Sequence, residues 1–145
     1  TSSLPVRPSS LPLPAPIAIV GAGYLGTAVA AALPVPAIAT TRSGRWHDAT
    51  PPPGVVVHAL DVTAEPLDIS PLRPARAGVL AYAPGGTQDR HALYVDGTAR
   101  LLRAWGAGML ERMVFIGSTS ALPDRDAWLD ETCDAWPDDE RGRVQ

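Results

Sequence analysis

Lysine and asparagine are both absent from this 145-residue chain, so all twelve of its Lys-or-Arg positions are arginine. A genome rich in G and C, whose codons favour Arg, Ala and Pro, accounts for both absences. The chemical consequence is independent of that cause: no mechanism that needs a lysine can run on these residues. Cysteine occurs once, at Cys133, which rules out an internal disulfide and cannot build a metal cluster alone. Positive charge is not in excess. The formal net charge of −3 argues against nucleic acid or an anionic membrane as a bulk partner. Any bound anion must therefore be held by local geometry rather than by a basic surface. Long apolar runs are missing too, because Pro, Gly or charge interrupts each one before it reaches membrane-spanning length. Thr1–Pro16 holds five prolines, one Arg and no continuous apolar core, unlike a secretory signal, so a cytoplasmic location is expected.

What is present is a globular composition, 46% hydrophobic, at a length suited to one domain. Residues 1–14 read as a flexible Pro/Ser-rich leader, and 15–145 as the folded domain. Ala15–Val20 is a short apolar run ended by glycine, the pattern of a buried parallel strand. Tyr24–Leu33 is Ala-rich, favours a helix and stops before Pro34. Val35–Thr40, Gly54–Leu60, Gly78–Ala83 and Arg112–Ile116 read as four further strands. Ser43–Gly54 leaves room for a very short helix or none, and Ile69–Arg76, with two prolines, for one helical turn. Asp89–Trp105 carries apolar residues at Leu93, Val95, Ala99, Leu101, Leu102 and Trp105, which suits one helix face. Ala121–Gln145 is acidic and loop-like, with a helix starting near its end. Strand and helix alternating in this way imply an α/β, doubly wound parallel sheet in three α/β/α layers, strand order 3-2-1-4-5.

In such sheets a ligand lies beyond the carboxyl ends of the strands, and the chemistry-bearing residues fall there. Gly21-Ala22-Gly23-Tyr24-Leu25-Gly26 follows the first strand and opens a helix, the context that gives Gly-x-Gly-x-x-Gly its meaning. Gly21 permits the tight turn, Gly23 lets a pyrophosphate approach the backbone, and Gly26 allows the helix to pack closely on the strand. Free N–H groups at the helix start would hold that anion without a basic side chain. After the second strand, Thr40-Thr41-Arg42-Ser43-Gly44-Arg45 contains no acid to bond an adenine-ribose hydroxyl. Arg42 can instead fork onto a 2′-phosphate, with Thr41 adding a hydroxyl, so NADP is expected ahead of NAD. Asp61 is placed either to accept from an adenine amino group or to form a plain turn. Ala81 and Ala83, in Ala81-Tyr82-Ala83-Pro84-Gly85-Gly86, either offer small residues beside the cofactor's centre or belong to a plain flexible loop. His47, His58 and His91 show no metal spacing, and His58 sits in a strand where packing is its expected role. Asp124, Asp126, Asp130 and Glu131 suit a solvated face, while Trp128 and Trp136 suggest that their segment packs onto something.

The glycine turn, Thr41-Arg42, Asp61 and Tyr94-Val95-Asp96-Gly97-Thr98 together resemble the extended and atypical short-chain dehydrogenase/reductases. Val114-Phe115-Ile116-Gly117-Ser118-Thr119-Ser120, Asp130-Glu131-Thr132 and Arg141-Gly142-Arg143 extend the match, which is nearest the NAD-dependent epimerase/dehydratase branch. The resemblance implies a Rossmann domain that binds NAD(P) and transfers hydride at a carbonyl or sugar-nucleotide carbon. It maps the substrate-orienting Ser onto Ser118. It also implies a Tyr-x-x-x-Lys helix, in which Lys lowers the pKa of a proton-handling Tyr. Those two positions hold Arg141 and Gln145, and arginine, always protonated, is a poor general acid. A non-catalytic dinucleotide sensor and a truncated fragment therefore stand as alternatives. Family members continue with a sixth strand and a substrate-binding part that residues 15–145 lack, and they use the helix over Asp89–Trp105 as a homodimer face.

Overall fold

Four consecutive buried residues, Ile17-Ala18-Ile19-Val20, make β1 (Ile17–Val20) the centre of the molecule, as a strand covered on both faces must be. In this computed structural model, which describes residues 16–47, 50–106 and 108–145, β1 pairs in parallel with β2 (Ala37–Thr41) on one side and β4 (Ala77–Leu80) on the other. β3 (Val55–Ala59) pairs with β2, and β5 (Arg112–Phe115) with β4, giving the order β3-β2-β1-β4-β5. The expected doubly wound sheet is therefore present, and the strand order reverses at β1. The leader expected over 1–14 lies outside the described residues.

Side chains alternate across the sheet, and the two faces are covered by different elements. Ala18, Val20 and Leu80 face a cluster that includes Leu93, Leu101 and Trp105. Leu101 and Trp105 are four residues apart on α2 (Thr98–Gly106), hence on one face of it, and both are fully buried. The Trp105 indole N–H donates to the Ala75 carbonyl at 3.2 Å. Its ring occupies the space that a β-carbon on Gly78 would need. On the opposite face Ile19 and Ala37 pack with Ala30, backed by Val29 of α1 (Tyr24–Ala32) and by Leu33, which caps it. Leu33 ends α1 in extended geometry, as a residue before proline prefers.

Several boundaries differ from the sequence expectation for clear reasons. β2 begins at Ala37 because Pro36 has no N–H to give, and its carbonyl accepts from Ile17 instead. No helix occurs between β2 and β3 among the described residues, and Trp46 packs against the α1-side cluster. A single 3₁₀ turn, Ser70–Leu72, precedes β4. The helix expected over 89–105 is split: a π-helical turn, Ala92–Gly97, runs into α2. The acidic tail carries a 3₁₀ turn, Thr119–Ala121, and a four-residue α3 (Glu140–Arg143), capped by Asp139 accepting from the Gly142 amide at 2.7 Å. Trp128 and Trp136 are 96% and 79% exposed, so the packing expected of them is not found.

Candidate functional site

The carboxyl ends of β1, β2, β3, β4 and β5 open into one cavity of about 1120 Å³. That volume lies just above the range of about 300–1,000 Å³ usual for small-molecule sites. Every residue expected at the site lines this cavity except Gly26, which lies behind the turn.

The three glycines have three different surroundings. Gly21 sits at φ +90°, where L side chains are strained, and a β-carbon there would lie 2.6 Å from the Tyr82 backbone. Gly26 is buried, and its β-carbon would overlap the Gly21 carbonyl oxygen. A β-carbon at Gly23 would meet nothing within 4 Å. Gly21 and Gly26 therefore shape the turn, and Gly23 leaves space above it. Thr40, fully buried at the end of β2, anchors this turn. Its carbonyl accepts from the Gly21 and Ala22 amides at 3.2 and 2.7 Å, and its hydroxyl oxygen accepts from the Gly21 amide at 3.3 Å. Those two amides are thereby used. The next ones, at Gly23, Tyr24 and Leu25, begin α1, where the geometry of a helix leaves N–H groups without intrahelical acceptors. The Tyr24 side chain itself is 98% exposed.

On the β2 side the cavity meets Thr41, Arg42, Arg45 and His47. The Thr41 hydroxyl donates to the Arg45 carbonyl at 3.0 Å, so its proton is committed to the local turn. Arg42 reaches toward the loop after β4: a β-carbon on Gly85 would come within 3.9 Å of its guanidinium. Asp61, after β3, accepts from the Thr63 hydroxyl at 2.6 Å and the Thr63 amide at 2.9 Å. These bonds, then the Arg42 charge, outweigh partial burial and hold the Asp61 carboxyl below its ordinary pKa. The turn-forming role of Asp61 is thus real, and one oxygen serves it.

On the β4 and β5 side the wall is aromatic. Tyr82 stacks on Tyr94 with centroids 6.5 Å apart, and both meet Phe115 edge-on at 6.4 and 6.3 Å. The Tyr82 hydroxyl bonds the Thr98 hydroxyl at 2.6 Å, while burial pushes its phenol pKa up. Ser118 lines the same end. Its hydroxyl oxygen accepts from the Ser120 amide at 3.2 Å, and the Ser120 hydroxyl donates to it at 3.1 Å. Arg141 reaches the cavity from α3, whereas Gln145 is not among the lining residues.

The electrostatics of this cavity differ from those of the chain. Four of the twelve arginines line it (Arg42, Arg45, Arg90 and Arg141), against one of the fifteen acids, Asp61. Anion binding by local geometry alone, as composition suggested, is thus incomplete: the site is locally basic within an acidic protein. Sequence reasoning missed Thr40, Arg90 and the aromatic wall. The segments holding Tyr94 and Phe115 carried a signal, through their place in the family-like motif. Among the described residues no group of three His, Cys, Asp or Glu could hold a metal, and no helix is long and apolar enough to cross a membrane.

Comparison with known proteins bears on the fold. A crystal structure of a Burkholderia pseudomallei protein described as exported superposes with a TM-score of 0.55 at 21% identity. The match covers 88% of this chain and about 60% of the length of that one. No family model matches the chain, and no curated protein does. The fold is a Rossmann-like parallel α/β sheet, and its shape is compatible with nucleotide or dinucleotide binding in general.

Proposed function

We propose that residues 15–145 form an NAD(P)-binding domain that prefers NADP, of the kind found in the epimerase/dehydratase-like short-chain dehydrogenase/reductases. The observation that carries this reading is the open space over Gly23, at the start of α1, inside a cavity that Arg42 also lines. The residues present fit the group. The amides of Gly23, Tyr24 and Leu25 would hold the pyrophosphate, and Arg42 the 2′-phosphate. Asp61 would accept from the adenine amino group. Ala81 and Ala83 would border the cofactor's centre, and Ser118 would orient a substrate oxygen. The cofactor, when bound, supplies or accepts hydride at a carbonyl or sugar-nucleotide carbon. A second reading, a dinucleotide sensor without catalysis, is favoured by one specific fact: Arg141 and Gln145 stand where the family's Tyr and Lys would be. Calorimetric titration with NADPH and NADH tests the common core of both readings. Saturable binding with NADPH the tighter ligand is expected. Binding of neither cofactor at millimolar concentration would remove the proposal.

A further inference from the structure

The arginines of the cavity stand at two separate poles. Arg42 and Arg45 follow β2, while Arg90 and Arg141 sit with the aromatic wall and Ser118 at the β4 and β5 end. A dinucleotide bound across the reversal of strand order sends one half over each side. Its phosphates are then met at the glycine turn and at the β2 pole. Beyond the pyrophosphate, the nicotinamide riboside offers no anion, since its carboxamide is neutral and its oxidised ring is cationic. The second pole is left without a partner by the cofactor.

It is also left without one by the protein. Arg76 pairs with Glu111 and Arg100 with Glu65, but among the described residues neither Arg90 nor Arg141 is in an ion pair. The Arg90 guanidinium carbon lies 5.6 Å from the centroid of the Tyr94 ring, which backs it against the aromatic wall. Its Nε is buried, so an anion in the cavity that Arg90 lines would be met by the terminal nitrogens of the guanidinium. Arg141 is held beside the Ser118 loop because Gly142 packs directly under the Ser120 carbonyl and Pro137, where a β-carbon would not fit. Both charges thus stand beside packed neighbours, and among the described residues no carboxylate pairs with either.

From this arrangement we infer that the β4–β5 end of the cavity is an oxyanion subsite, in which Arg90 and Arg141 take the carboxylate or phosphate monoester of a small second ligand. The inference rests on the dinucleotide reading for its layout and gives the second ligand's class: anionic at one end, and compact. Arginine suits this task because its planar fork matches both groups.

The test is calorimetry at saturating NADPH with two pairs of probes, oxamate against neutral oxamide and glycerol 3-phosphate against glycerol. Each anionic probe that fits should bind at least tenfold more tightly than its neutral partner, and comparing the two anions identifies the source. Arg141→Gln, an exposed position, and Arg90→Gln should each weaken the anionic probe tenfold or more, while NADPH affinity stays within twofold. Arg141→Lys should restore part of the loss. The same titration without cofactor in Gly23→Val, whose phosphate turn is obstructed, reads the subsite alone. Failure of NADPH to bind is therefore distinguishable from failure of the subsite. Equal affinity for anionic and neutral probes, or variants that lose NADPH as strongly as the anions, would overturn the assignment.

Discussion

Valine at position 23 isolates the phosphate turn from the fold that carries it. Gly23 has φ −84° and ψ −151°, extended geometry that a β-branched residue accepts, and its β-carbon would enter open space. The folded state should therefore change little. Losing glycine at a helix N-cap costs about 0.5–1.5 kcal/mol, and the smaller conformational entropy of the unfolded valine variant offsets about 0.4–1 kcal/mol. Net stability should stay within about 1 kcal/mol of wild type. Binding is another matter. The two γ-methyls would stand in the space above the Gly23, Tyr24 and Leu25 amides, so a pyrophosphate could no longer approach them. Loss of two to three charge-assisted hydrogen bonds of about 1.5 kcal/mol or more each corresponds to at least a hundredfold in Kd. The controls lie in the same turn. Gly21→Ala, with φ +90° and the Tyr82 backbone at 2.6 Å, and Gly26→Ala, against the Gly21 carbonyl, should each cost the fold several kcal/mol. Thermal melts and NADPH calorimetry on the three variants check this. Wild-type affinity in Gly23→Val, or a stable Gly26→Ala beside an unfolded Gly23→Val, would refute the reasoning.

Four further outcomes are expected. Arg42→Ala should weaken NADPH by about 1.5–3 kcal/mol and leave NADH almost untouched in parallel titrations; equal losses would assign Arg42 to the fold. Consumption of NADPH with quinones, aldehydes and keto-sugars, followed by absorbance, should stay far below the usual enzymatic rates of about 1–10³ s⁻¹, because no Lys or Tyr stands at 141 or 145. Gly78→Ala would drive a methyl into the Trp105 ring and should cost about 1–3 kcal/mol in denaturant unfolding. Asp61→Ala should cost about 1–2 kcal/mol at neutral pH, the worth of its two bonds from Thr63. Because those bonds lower the folded pKa of Asp61, their contribution is complete above the ordinary carboxylate range and is lost as pH falls through the lowered value. Wild type and Asp61→Ala should therefore converge in acid, starting below about pH 4.

The strand–turn–helix at 17–32 was legible because a fully buried parallel strand writes itself as an unbroken apolar run, and the turn demands glycine where backbone approaches backbone. That the connection between β2 and β3 holds at most a very short helix was legible from the prolines at 51–53, and none occurs there among the described residues. The interlock of Gly78 and Trp105 was not, since it joins residues far apart in the chain through the rotation of α2 about its axis. The stacking of Arg90 on Tyr94 was hidden for a related reason. The π-helical turn at Ala92–Gly97 shifts the facing of side chains before α2, so a regular helical period misplaces them. Thr40 looked like one more strand residue, and only the bent return of the chain at Gly21 shows what its oxygens are for.

The uncovered corner between β2 and β3 has a dynamic consequence. The cluster on the α2 side contains twelve buried residues, while the α1 side rests on Ile19, Ala30 and Ala37, and Val56 of β3 is 56% exposed. Local opening should therefore begin at the two edge strands, β3 and β5, and amide hydrogens there should exchange well before those of β1 and β4. Arg42 and Asp61 hang from that same corner. A ligand held by both would stitch the β3 edge to the centre, slowing exchange there in step with its affinity by RT ln(1 + [L]/Kd). Exchange at this edge would then report whether the cavity is filled, while β5, which carries neither residue, would serve as the internal reference.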